Sequence, residues 1–248
     1  MDSAAVSTVP APVAVVTGAS RRLGFEIGKA LLARGWRLYA LHRSETDELA
    51  QLGDAGARCL AVDLADIASV TRVVETILAE TEQVGLLVNN ASEFTPDATD
   101  AMVLAHQANR LFQIHATAPM QLMSGLAGAL KRGGESGSSA LIVNLTDIFV
   151  EKPNPAFAAY CASKAALSNL TLSYARTLAP HVRVNAIMPG PVQFLPEHTE
   201  QQRATVMAET PLAREGGFGS VVQQLLALLD NDFMTGALIP VDGGRRLT

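Results

Sequence analysis

Tyr160 and Lys164 stand four positions apart in AFAAYCASKAAL, a strongly helical run, so the two side chains share one face. A phenol of ordinary pKa, about 10, is a poor acid–base catalyst at neutral pH. An ammonium one turn away would lower that value by favouring the phenolate. Asp147 lies thirteen positions before Tyr160. A hydroxyl there would donate to a carbonyl oxygen that gains negative charge as hydride arrives, whereas an ionised carboxylate would repel that charge. The carboxylate suits a substrate that acquires a proton at nitrogen. The trio therefore points to reduction of C=N rather than C=O, with a simple cap on the loop after its strand as the bland alternative for Asp147.

A hydride source is implied upstream. Thr17-Gly18-Ala19-Ser20-Arg21-Arg22-Leu23-Gly24 follows the apolar run VAVV and opens a helical pattern. Glycines there permit a tight turn and close backbone approach to a pyrophosphate, and the helix N-terminus offers free N–H groups and a favourable dipole. An NAD site usually places an acidic residue about 20 positions further on, to hold the ribose 2′-hydroxyl. His42-Arg43-Ser44 occupies that place, and no carboxylate appears before Glu45. Arg43 and Ser44, with Arg21 nearby, suit a 2′-phosphate, so NADP(H) is the expected cofactor. Asp63 is placed either to accept from the adenine amino group or to cap the next helix.

The elements that must position these residues follow from the apolar pattern. Strands are expected at 13–18, 37–42, 59–62, 86–90, 140–145, 182–187 and 237–241. Helices are expected at 23–34, 67–82, 100–130, 157–179 and 218–229. Strands this apolar, separated by helices, imply an α/β Rossmann fold in one domain: a doubly wound parallel sheet with helices on both faces. Residues 1–11 read as a mobile tail and 12–248 as the domain. The stretch 191–216, with Pro191, Pro196 and Pro211, reads as a substrate-covering loop.

Composition narrows the partners. Of 248 residues 48% are hydrophobic, and the net charge is −5 with no basic run longer than two residues, which disfavours nucleic acid and anionic membranes. No apolar run reaches the roughly 18 residues of a membrane-spanning helix. Two lone cysteines, Cys59 and Cys161, and an N-terminus without a basic start point to the cytoplasm. No metal is expected.

The chain resembles the short-chain dehydrogenase/reductase family over essentially its whole length. The matching residues are Thr17-Gly18 with Gly24, Asn89-Asn90-Ala91, Tyr160 with Lys164, Asn185, Pro189-Gly190 and Asp242-Gly243-Gly244. Within that family it looks most like the pteridine and dihydromonapterin reductases. That closer likeness rests on Arg22 in place of the middle glycine, His42-Arg43-Ser44, Asn90-Ala91-Ser92-Glu93-Phe94, and Asp147 with Tyr160. The resemblance implies a homotetramer and a division of labour. Gly18, Arg21, Arg22, Leu23, Gly24, Asp63, Leu64, Asn90, Ala91, Pro189 and Gly190 would surround the cofactor. Tyr160 would supply a proton to a dihydropterin, Lys164 would tune it and hold the nicotinamide ribose, and Asp147 would pass protons or hold the pterin. Phe94 would stack on the pterin, Ser92 would bond its edge or the cofactor, and Arg22 would reach substrate or phosphates. The positive charge of oxidised nicotinamide would further favour the phenolate. Phe94 read as a core aromatic and Arg22 as a solvated charge are the plainer alternatives.

Two positions depart from the family pattern. His115 stands where an asparagine usually kinks the central helix and holds a relay water; it is either a proton relay or a buried structural residue. The common threonine contact after Pro189-Gly190 is missing. The rival functions are a short-chain carbonyl reductase acting on a 3-oxoacyl or other ketone, and a dinucleotide-binding regulatory protein without turnover.

Overall fold

The computed structural model describes residues 11–135, 139–195 and 198–248. The tail expected at 1–11 lies almost wholly outside the described residues. Seven strands form one parallel sheet: β1 (Val13–Thr17), β2 (Arg37–His42), β3 (Arg58–Ala61), β4 (Leu86–Asn89), β5 (Ala140–Leu145), β6 (Val182–Pro189) and β7 (Leu238–Val241). Their order across the sheet is β3-β2-β1-β4-β5-β6-β7. The chain moves outward from β1 to β3, then returns to the other side of β1 with β4. That reversal opens a crevice at the carboxyl ends of β1 and β4, where ligands of open α/β sheets bind.

Both faces are covered because successive side chains alternate across each strand. Val13 and Val15 join Tyr39 and Leu41 in one core, packed by α3 (Ile67–Glu80), α5 (Ala118–Gly125), α6 (Ala127–Gly133) and α7 (Ala158–Leu178). Ala14 and Val16 join Leu38 and Ala40 in the other, packed by α1 (Arg22–Ala33), α2 (Asp47–Asp54) and α9 (Gly217–Asp230). At the amino ends of the strands Trp36 packs against Gly85, where an added Cβ would lie 3.1 Å from its ring.

Three elements differ from the sequence expectation. The single helix expected over 100–130 is divided into α4 (Ala101–Phe112), a π turn over Gln113–Thr117, α5 and α6. The break at Gly125-Leu126 coincides with close approach to α3, since a Cβ on Gly125 would lie 2.8 Å from Val74 Cγ1. α2 was not anticipated; its cap is Thr46, whose side chain accepts from the Leu49 N–H. The stretch 191–216 is not all loop, because it contains α8 (Glu200–Ala208). A reciprocal capping box between Thr199 and Gln202 starts that helix. Among the described residues no helix is long and apolar enough to cross a membrane.

Candidate active site

At the carboxyl ends of the strands lies a cavity of about 1100 Å³. Every residue assigned to cofactor or substrate from the sequence lines it, from Gly18 in the first turn to Gly190 after β6. His115 does not line it.

The floor at the crevice is built by interlocking strand ends. Thr17 Oγ1 accepts from the backbone N–H groups of Asn90 and Ala91 at 2.9 and 3.0 Å, and Asn90 Nδ2 donates to Thr17 O at 2.9 Å. Gly18 has φ +65° and packs so tightly that a Cβ would lie 2.9 Å from Ala91 Cα. A Cβ on Gly24 would lie 2.1 Å from Gly18 O. No side chain caps the N-terminus of α1, whose first residues line the cavity, so its first N–H groups are available to an anion.

Arg22 adopts φ +52°, the left-handed region in which a glycine is at ease and a larger residue is strained by roughly 1–2 kcal/mol. Its Nη2 donates to Gln193 O at 3.0 Å and its guanidinium lies 5.3 Å from the Phe218 ring centroid. It is thus no solvated charge: it ties the first turn to the 191–195 wall.

At the adenosine end, His42 is buried and its Nδ1 has no partner among the described residues. Asp63 does not cap α3, which is the task of Asp66 through the Ala68 N–H. Its Oδ1 accepts from the Ala65 N–H at 2.9 Å, and the residue lines the cavity. Arg43 donates to Glu93, a contact the sequence reading did not foresee. An uncapped helix start, a tight glycine turn and an orphaned buried imidazole nitrogen together fit a dinucleotide.

The chemical end gathers Asp147, Tyr160 and Lys164. Asp147 Oδ1 accepts from the Phe149 N–H at 2.9 Å, and Oδ2 accepts from Tyr160 OH at 2.8 Å. The residue therefore does cap its loop, but with one oxygen only. Lys164 Nζ donates to Leu145 O at 2.8 Å. The Lys164 ammonium lies 5.8 Å from the Tyr160 ring centroid, where its charge favours the phenolate but does not outweigh the surroundings. Burial pushes the phenol well above its ordinary value, and the charge and hydrogen bond of Asp147 push it further; Ser92 offsets part of this. Lys164 itself is lowered by burial to about 8, against the pull of Asp147. Burial also raises Asp147, opposed by the Phe149 N–H, Tyr160, Lys164 and Arg245.

Phe94 stands over this group. It stacks on Phe157 with ring centroids 4.3 Å apart and meets Tyr160 edge-on at 4.8 Å. Being 41% exposed in the cavity wall, it is not a core aromatic.

His115 sits in the π turn, the kind of helix defect that recurs at functional sites. Its Nε2 accepts from the Glu93 N–H at 3.1 Å, with Ser92 Oγ 3.0 Å away. Ser163 Oγ donates to Tyr160 O, so it must accept from His115 Nδ1 at 2.8 Å. Both contacts require the neutral ring with its proton on Nδ1. Burial and the charge of Lys164 hold the pKa down to about 2. His115 is a structural acceptor for the loop that carries Ser92 and Phe94, not a relay that charges near neutrality.

Because the unfolded ring binds a proton below about pH 6.5 and the folded ring does not, stability is full above that pH and falls as the solution is acidified toward pH 2. By about pH 5 the loss from this group is about 2 kcal/mol, at about 1.4 kcal/mol per unit. Urea denaturation of His115→Asn at the two pH values should show that increment gone. An unchanged acid slope would mean the ring is already charged in the folded protein.

The family model described as short chain dehydrogenase matches residues 12–206. The chain belongs to the short chain dehydrogenase family. It is 32% identical over 238 residues to the dihydromonapterin reductase of Klebsiella pneumoniae, covering 96% of this chain and 98% of that one. To the dihydromonapterin reductase of Escherichia coli K12 it is 31% identical over 240 residues, covering 97% and 98%. The Brucella canis FolM alternative dihydrofolate reductase 1, solved with NADP, superposes with TM-score 0.84 at 31% identity, covering 96% and 94%. The Pseudomonas aeruginosa RhlG/NADP complex superposes with TM-score 0.86 at 26% identity, covering 96% and 97%. Within this short chain dehydrogenase site, the sequence missed Phe149 and Phe157, which complete the aromatic wall, and Arg245 from the C-terminal turn, which lines the same cavity. Their apolar or basic types carried no local signal; only folding brings them to the cavity.

Proposed function

We propose that the protein is an NADP-dependent oxidoreductase that reduces the C=N bond of a dihydropterin to its tetrahydro form, with dihydromonapterin, dihydrobiopterin and dihydrofolate as candidate substrates. The observation that carries this reading is the Tyr160–Asp147 hydrogen bond beneath Phe94. Both Asp147 oxygens accept hydrogen bonds, the arrangement of an ionised carboxylate rather than of an oxyanion donor. The names of the relatives and the NADP in two of the solved neighbours support it.

When bound, reduced nicotinamide would supply the hydride for the carbon of the C=N bond. The chain's residues do the rest. Tyr160 donates a proton to the nitrogen, and Asp147 holds and orients the phenol between turnovers. Lys164, fixed by Leu145 O, stands ready for the nicotinamide ribose. Phe94 offers its exposed surface to the flat pterin, an offset stack contributing about 1 kcal/mol beyond burial. Arg43, Ser44 and Arg21 would hold the 2′-phosphate, and the start of α1 would hold the pyrophosphate.

We also read the protein as a homotetramer. Met102 and Val103 on α4, Met120 on α5 and Leu172 on α7 are exposed apolar side chains on helices suited to packing between subunits. A second reading, carbonyl reduction, draws on one observation: burial raises Asp147, and a neutral carboxyl there would donate to an oxyanion. NADPH oxidation should be followed with the three dihydropterins beside simple ketones and a 3-oxoacyl thioester. Pterin turnover is expected; turnover of the carbonyl compounds alone would sink the pterin reading, and NADPH binding without any turnover would leave only a dinucleotide-binding protein.

A further inference from the structure

Glu93 lies between two arginines that come from different parts of the fold. Arg110, on α4, donates to both carboxylate oxygens, Nε to Oε2 at 2.8 Å and Nη2 to Oε1 at 2.6 Å. Arg43, just past β2, donates only Nη1, to Oε1 at 2.5 Å. The backbone N–H of Glu93 is also held by His115. The carboxylate is thus anchored from α4 by a two-pronged grip, and Arg43 is the singly bonded, half-exposed partner. Both guanidinium groups hold the Glu93 carboxyl below the usual carboxylate range, so it stays charged at neutral pH.

Arg43 is also the residue read above as the contact for the 2′-phosphate, and the inference rests on that reading. We propose that Glu93 is a specificity-determining residue that weakens the hold on the 2′-phosphate, because the carboxylate engages Arg43 and presents a like charge beside the incoming anion. The three side chains sum to one positive charge where the two arginines alone would give two. NADH, lacking the phosphate, is indifferent to the arrangement. The physical consequence is a cofactor held less tightly in both oxidation states, which favours exchange of the oxidised form for the reduced one.

The test uses binding, not turnover. Kd values for NADPH and NADH are measured on the cofactor-free full-length protein by titration calorimetry, at low and moderate salt. Glu93→Gln keeps the shape and removes the charge. It should tighten NADPH by about fivefold to tenfold at low salt, the size of one screened charge contact near a surface, with NADH within about twofold. The gain should shrink as salt is added. Arg43→Ala should weaken NADPH at least tenfold and abolish the effect of Glu93→Gln in the double variant. Unchanged or weaker NADPH binding in Glu93→Gln, or an equal shift for NADH, overturns the proposal. Unchanged NADPH binding in Arg43→Ala overturns it through its premise. A failure of the pterin assignment would leave all of these constants as they are.

Discussion

Asp147→Ser reduces dihydropterin turnover by at least about a hundredfold in kcat, with the NADPH dissociation constant unchanged within about twofold. The serine hydroxyl is shorter and is a donor, so it does not reproduce a carboxylate that accepts from Tyr160 OH and the Phe149 N–H together. Tyr160 then loses the acceptor that orients it and the charge that keeps its proton in place. Serine caps a helix start about as well as aspartate, so the turn over Ile148–Val150 should hold, and urea denaturation alongside the kinetics verifies folded protein. Undiminished turnover of the variant would remove Asp147 from the chemistry and leave it as a cap.

The second large effect is structural in origin. Gly24→Ala places a Cβ 2.1 Å from Gly18 O and 2.7 Å from Asn90 Nδ2. One obstacle is backbone held by its own turn, and the other is an amide bonded to Thr17 O and Gly18 O, so neither yields easily. Destabilisation of about 3 kcal/mol or more is expected, and NADPH binding should be lost even in protein that remains folded. Chemical denaturation and calorimetric titration check the two halves separately. Wild-type affinity in the variant would mean that the turn relaxes, and that its tightness is not what shapes the anion cradle. Gly28→Ala in the same helix is a useful contrast. There the Cβ meets only flexible leucine ends, Leu38 Cδ2 and Leu52 Cδ1 at 3.1 Å.

Much of this was legible in the residues because the relevant signals are local. Period and apolarity marked the strands, since the inner ones are buried on both faces and are therefore mostly apolar. The glycine turn and Tyr160 with Lys164 are short patterns tied to one element each. What was not legible depends on meetings between distant segments. Glu93 looks like an ordinary loop charge until α4 brings Arg110 to it. Spacing set Lys164 one turn from Tyr160 but said nothing of how deeply the phenol is buried or of its hydrogen bond to Asp147, which together push its pKa up. His115 was ambiguous for the same reason: its tautomer is fixed by Glu93 and Ser163, 22 and 48 positions away. The helix α8 was overlooked for another cause. Three prolines suggested a loop, while the Thr199-to-Gln202 capping box that starts the helix went unread.

Trp36 is the sole tryptophan of the chain and packs on Gly85 where the strands begin, whereas the cavity opens where they end. A strand of β2's length separates the two by roughly 20 Å. The indole therefore serves as a built-in fluorescence reporter whose packing is broken by unfolding but not by substitutions at Asp147, Glu93 or His115. Emission from this single residue gives one unfolding curve per variant, on a common scale, so losses of fold and losses of chemistry can be told apart in the same sample.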